Sequence, residues 1–153
     1  MKHIVFVGAS TPNLYGARKL QDAGFRCSVY ERSSSVRNDQ VRQLPKEILE
    51  KCGFFCNNEY VKLTHLKEHL AKEVDVLFDT FLTVDMVKGV FLLDGKPVVA
   101  DHFIINTGHK EIVTNHSHIS TYGYGLGDDL KKHFAGNSLL TALKKMDVIV
   151  ESI

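Results

Sequence analysis

Near the start of the chain, four residues have the types and spacing to hold a phosphate-bearing ligand. Gly8, Ser10 and Asn13 stand at the three marked positions of a G-x-G-x-x-G turn, and Glu31 follows about twenty residues later. In that motif the first glycine makes a tight turn, the second lets backbone approach a pyrophosphate, and the third lets a helix pack closely on a strand. Only the first is glycine here. The Ser10 Cβ crowds the pyrophosphate approach but its hydroxyl can bond a phosphate oxygen, and Asn13 is expected to push helix away from strand. The Glu31 carboxylate suits ribose hydroxyls or is a solvated strand-end charge, and the adjacent Arg32 is either a contact for adenine or phosphate or, more ordinarily, a solvated arginine.

Those residues meet only if the segment folds as strand, turn, helix and strand. Ile4-Val5-Phe6-Val7 has no polar residue to alternate with, as in a parallel strand buried on both faces. Leu14, Ala17, Leu20 and Ala23 recur at helical spacing, which predicts a helix from about Leu14 to Ala23, and Gly24 follows as a left-handed stop. Cys27 and Val29 then lead a second strand to Glu31. The crossover between parallel strands should be right-handed.

Residues 32–40 are polar enough for a loop, and Pro45 opens a short helix through Ile48, Leu49 and Cys52 to Gly53. Cys52 and Cys56 are spaced C-x-x-x-C rather than C-x-x-C, so buried thiols flanking Phe54 and Phe55 are expected instead of a redox pair. His65, Glu68 and His69 match H-x-x-E-H, but Leu66, Leu70 and Val74 give that helix, capped by Thr64 and running from about His65 to Lys72, a core-facing side. No metal site is expected there. Val74 to Phe78 reads as a third parallel strand. Phe81 to Val87, Val90 to Leu93 and Val98 to Ala100 read as an antiparallel meander with a hairpin at Asp94-Gly95 and an edge at Pro97.

Phe103-Ile104-Ile105 returns to the central sheet, which places Thr107 and Gly108 near the carboxyl ends of its strands. Asn137 or Ser138 caps a last helix, and Val148-Ile149-Val150 is left as either an edge strand or a dimer contact. The predicted fold class is α/β: a Rossmann-like parallel sheet with an antiparallel β-meander, in a single domain over 1–153.

Composition narrows the function classes. In 153 residues, 19 Lys+Arg against 18 Asp+Glu leave a net charge of +1, with no general pull toward nucleic acid or an anionic membrane. No apolar run approaches the roughly 20 residues that span a bilayer. Three cysteines, Cys27, Cys52 and Cys56, are odd in number and sparse, and the chain enters a strand at once; a cytoplasmic protein is expected.

The segment Val5 to Arg32 resembles the FAD-binding start of the thioredoxin reductase and pyridine nucleotide-disulfide oxidoreductase family. Asp101-His102-Phe103-Ile104-Ile105-Asn106-Thr107-Gly108 resembles that family's apolar strand ending in Ala-Thr-Gly, with Asn106 replacing the alanine. Thr121-Tyr122-Gly123-Tyr124-Gly125-Leu126-Gly127-Asp128 resembles its final strand ending in Gly-Asp. The three occur in family order. The resemblance implies FAD as cofactor, with Gly8, Ser10 and Asn13 around the pyrophosphate and Glu31 on the adenosine ribose. It places Thr107 and Gly108 near the flavin, and Gly127-Asp128 at the ribityl chain, which the aspartate holds. Gly136 and Asn137 would then lie at the flavin's pyrimidine ring.

Relatives insert an NAD(P)H-binding domain between the second and third signatures, where this chain has only a short connection, at about 108–119. The expectation is a small FAD-binding oxidoreductase served by a separate reductant protein or by NAD(P)H docking directly, and forming a dimer. His109, His116 and His118 in the connection are either proton donors or solvated loop residues. The alternatives are a non-enzymatic binding or regulatory module with a degenerate dinucleotide fold, and a protein that binds another nucleotide through Glu31 alone.

Overall fold

A computed structural model describes residues 2–36, 39–55, 60–85, 90–106, 120–121 and 138–153. The first unit forms as the periodicity requires. Strand β1 (His3–Val7) is followed by helix α1 (Thr11–Asp22) and strand β2 (Arg26–Tyr30), which lies parallel to β1 with Ile4 opposite Cys27 and Phe6 opposite Val29. Helix α1 starts three residues before the apolar pattern does. Ser10 caps it, its hydroxyl accepting the Asn13 N–H at 3.3 Å, and Pro12 occupies the first turn, where a missing N–H costs nothing. Gly24 takes φ +95° just past the helix end.

Between β2 and the third sheet strand come β3 (Val41–Gln43), α2 (Lys46–Lys51), β4 (Tyr60–Lys62) and α3 (Leu63–Ala71). Strands β3 and β4 form an antiparallel ribbon that the sequence does not announce, because each is three residues long and β3 is exposed throughout. Helix α3 begins before Thr64, with Lys62 at its cap position, so Thr64 is not the cap expected of it. Leu66 and Leu70 face the core as expected.

Strand β5 (Val76–Leu77) pairs parallel with β2. The meander follows as β6 (Thr83–Asp85), β7 (Val90–Leu93) and β8 (Lys96–Pro97). Asp94 and Gly95, at φ 52° and 77°, make the two-residue turn between β7 and β8, the left-handed pair that matches strand twist. β8 therefore starts earlier than the apolar run at Val98. Strand β9 (His102–Ile105) returns beside β1, and β10 (Ser120–Thr121) beside β9, giving a parallel sheet in the order β10-β9-β1-β2-β5.

The sheet is covered on both faces. Ile4, Phe6, Cys27, Val29 and Ile104 pack under the helices, whereas Val5, Val7, Phe103 and Ile105 pack under the meander through Leu82 and Phe91. The last helix, α4 (Ser138–Ser152), includes residues 148–150, which are therefore neither a strand nor uniformly buried: Ile149 is inward and Val148 exposed. It crosses α1 at Gly16, where an added Cβ would lie 2.6 Å from the Met146 sulfur. Asp147 fastens the crossing, accepting from the Tyr15 hydroxyl at 2.6 Å, Lys19 at 2.8 Å and Lys51 at 2.5 Å.

Candidate functional site

The carboxyl ends of β1, β2 and β9 meet at one edge, and the residues singled out at the start of the chain converge there. Gly8 leaves β1 with φ +99°, a left-handed turn that glycine makes without strain, and its N–H donates to the Tyr30 carbonyl at 2.8 Å. Glu31, one residue past β2, accepts from the Ala9 N–H at 2.9 Å through one oxygen and from the Ser33 N–H at 2.8 Å through the other. The turn and the acid are thus joined directly. Burial raises the Glu31 carboxyl, but the bonds from Ala9 and Ser33, aided by the Lys67 charge on α3, outweigh it and leave the group below its ordinary value. Lys67 is in turn lowered by its own burial, which Glu31 opposes.

Ser10 Oγ accepts the Asn13 N–H and caps α1, which leaves its O–H as a donor. Asn13 ties helix to strand by hydrogen bonds through its side chain. Its side chain is wholly buried, and Nδ2 donates to the Gly8 carbonyl at 2.9 Å, the Val7 carbonyl at 3.1 Å and the Asn106 carbonyl at 3.4 Å. Three acceptors around one nitrogen fix which end of the amide faces them. The Ala9 and Asn13 N–H groups are taken and Pro12 has none. No bond from the Ser10 or Thr11 N–H occurs among the described residues, and both lie at a helix N-terminus, which attracts negative charge.

Asn106 ends β9 on the face shared with Ile104. It is fully buried, and neither side-chain atom has a hydrogen-bond partner among the described residues; the same holds for Asn13 Oδ1. Buried orphans of this kind cost about 1–3 kcal/mol each and mark a place where a polar group belongs. The sequence carried a signal for Asn106, a lone amide closing an apolar strand, but none for Ala9, Ser33 or Lys67, whose roles depend on where the backbone brings them. Arg32 is exposed beside Glu31. Thr107, Gly108, Gly127, Asp128, Gly136 and Asn137 lie outside the described residues, as do Cys56, His109, His116 and His118.

The remaining chemical motifs are occupied by the fold. The His69 ring nitrogen lies 3.2 Å from the Cys52 carbonyl and its ring meets Phe54 edge-on at 5.4 Å, while His65 is exposed. No group of three metal-ligating side chains occurs among the described residues. Burial pushes the Cys27 and Cys52 thiols up to about 11. No helix among the described residues is long and apolar enough to cross a membrane.

No protein-family model matches the chain, and no curated protein matches it in sequence. Solved structures do resemble it. The tetrameric form of 2-methyl-3-hydroxypyridine-5-carboxylic acid oxygenase is 15% identical, with a TM-score of 0.54 over 68% of this chain and 38% of the oxygenase. A protein from Photorhabdus luminescens subsp. laumondii TTO1, assigned as an FAD-containing monooxygenase, is 16% identical, with a TM-score of 0.52 over 69% of this chain and 39% of that one. The shared property at such identity is the Rossmann-like α/β fold. The chain matches about two fifths of each structure's length.

Proposed function

We propose that the chain binds FAD by its adenosine diphosphate half at the edge formed by β1, β2 and β9, and serves as the flavin-holding part of an oxidoreductase. One observation carries this reading: Gly8, the α1 N-terminus and Glu31 share a single edge, in a fold that resembles an FAD-containing monooxygenase.

The residues present fit that group. The Ser10 and Thr11 N–H groups, at the N-terminus of α1, suit a phosphate, and the buried Asn106 amide, without a partner among the described residues, follows β9 at the same edge. Glu31 spends one lone pair on each oxygen, so acceptor capacity remains for two ribose hydroxyls. Bound FAD would supply hydride and electron transfer. This chain's own residues orient its diphosphate, keep the Glu31 carboxyl ionised, and seal the turn from water with Ala9 and Leu14. The thioredoxin reductase-like assignment, a role for Asp128 on the ribityl chain, and reduction by a separate protein or NAD(P)H rest on the sequence signatures.

Titration with FAD tests the proposal. Saturable binding with a shifted flavin spectrum, weakened by Glu31→Arg and Asp128→Ala, is expected; absence of any uptake refutes it. NADH or NADPH is then added to the loaded protein alone, and bleaching identifies direct reduction. A second reading, a non-enzymatic module, is favoured by one observation: Glu31 and Ser10 already have partners within the chain, so the edge holds its shape by itself.

A further inference from the structure

We propose that Asn13 is a positioning residue for the phosphate turn, bracing it through its side-chain amide as tight glycine packing would otherwise do. The inference rests on the nucleotide reading for its consequence but on geometry for its substance. Asn13 Nδ2 sits among the carbonyls of Val7, Gly8 and Asn106, so one buried side chain ties the end of β1, the turn and the end of β9 to the first turn of α1. Glu31 takes the Ala9 N–H from the other side, and Tyr30 takes the Gly8 N–H. The backbone groups at Gly8 and the Ala9 N–H are therefore satisfied within the chain. The turn that faces a phosphate has its shape before any phosphate arrives, and preorganisation of this kind raises affinity by removing the cost of ordering.

The fingerprint and the brace predict opposite signs for one substitution. If glycine at position 13 matters for close approach, Asn13→Gly should tighten binding; if the amide holds the turn, the same change should loosen it. Because glycine also weakens a helix, Asn13→Ala is the companion variant, removing the amide while favouring the helix. The probes are ADP and adenosine, measured by calorimetry on the full chain, with amide hydrogen exchange at Gly8 and Ala9.

Both variants are expected to weaken ADP at least about tenfold, equivalent to ~1.4 kcal/mol, to weaken adenosine clearly less because Glu31 keeps its bond from Ser33, and to speed exchange at Gly8 and Ala9. A merely structural role would move the two ligands together. ADP bound as tightly as by the parent, or more tightly, with unchanged exchange overturns the proposal. If the parent binds no ADP, the nucleotide reading falls, and exchange alone judges the brace: faster in both variants upholds it, unaltered in either refutes it.

Discussion

Asp147 is the residue through which the last helix reports on the rest of the molecule, and replacing it with asparagine has a calculable effect. Burial raises its carboxyl, but bonds from Lys19, Lys51 and Tyr15 prevail and hold it down to about 2, against an ordinary 3.8. At about 1.36 kcal/mol per unit that gap corresponds to ~2.4 kcal/mol of stability. Asp147 is 20% exposed and Lys51 24%, but Lys19 is 48% exposed, so solvent screening reduces the expectation to about 1–2 kcal/mol. The sign follows from linkage: a carboxyl depressed by folding contributes above its unfolded value, near 3.8, and the contribution disappears as pH falls toward about 2. Urea unfolding of the parent and Asp147→Asn should therefore differ by about 1–2 kcal/mol near neutrality and converge in acid. A difference that stays constant from neutral pH to about pH 2, or is absent at neutrality, would show that the three donors do not stabilise the docked helix.

Gly16→Ala places a methyl 2.6 Å from the Met146 sulfur and 3.3 Å from the Phe6 ring, and because the crossing is buried it should cost about 1–3 kcal/mol by thermal melting despite alanine's better helix propensity. Cys27 and Cys52, buried with thiols pushed up to about 11, should resist alkylation at mildly alkaline pH until denaturant is added, as read by peptide mass spectrometry. Glu31→Gln should retain the fold but reduce nucleotide affinity, and the parent's affinity should fall as acid protonates Glu31, at a pH below the ordinary glutamate range; an affinity flat across that range would remove Glu31 from the site.

The central parallel strands were legible because buried parallel strands are apolar throughout, although their order was not. Ile4 to Val7 and Phe103 to Ile105 identify themselves, and the Asp94-Gly95 pair fixes the hairpin. The β3–β4 ribbon was not legible, since its three-residue strands have too few positions for a period to emerge. Residues 148–150 misled because valine and isoleucine favour strands locally, whereas α4 is held by packing of Leu143, Met146 and Ile149 at helical spacing. At the site, the position of Asn13 was readable and its effect was not. A motif prices the residue at that position by volume, but hydrogen bonding to three otherwise neighbouring carbonyls reverses the consequence.

That reversal bears on why the turn can depart from its glycines. In a glycine-rich turn, backbone closeness between helix and strand is maintained by the absence of side chains, and a bound phosphate can supply the remaining order. Here helix and strand are tied by bonds: Glu31 to Ala9 across the mouth of the turn, Asn13 to Val7 and Gly8 beneath it. A second glycine lost at position 10 is replaced by a residue that caps α1 through Ser10 Oγ and keeps its O–H as a donor. The consequence is a division of labour in which residues conventionally assigned to ligand contact first hold the protein's own backbone. Under the proposed function, affinity would come from what they leave over: the second lone pairs of Glu31, the Ser10 O–H, and the Ser10 and Thr11 N–H groups.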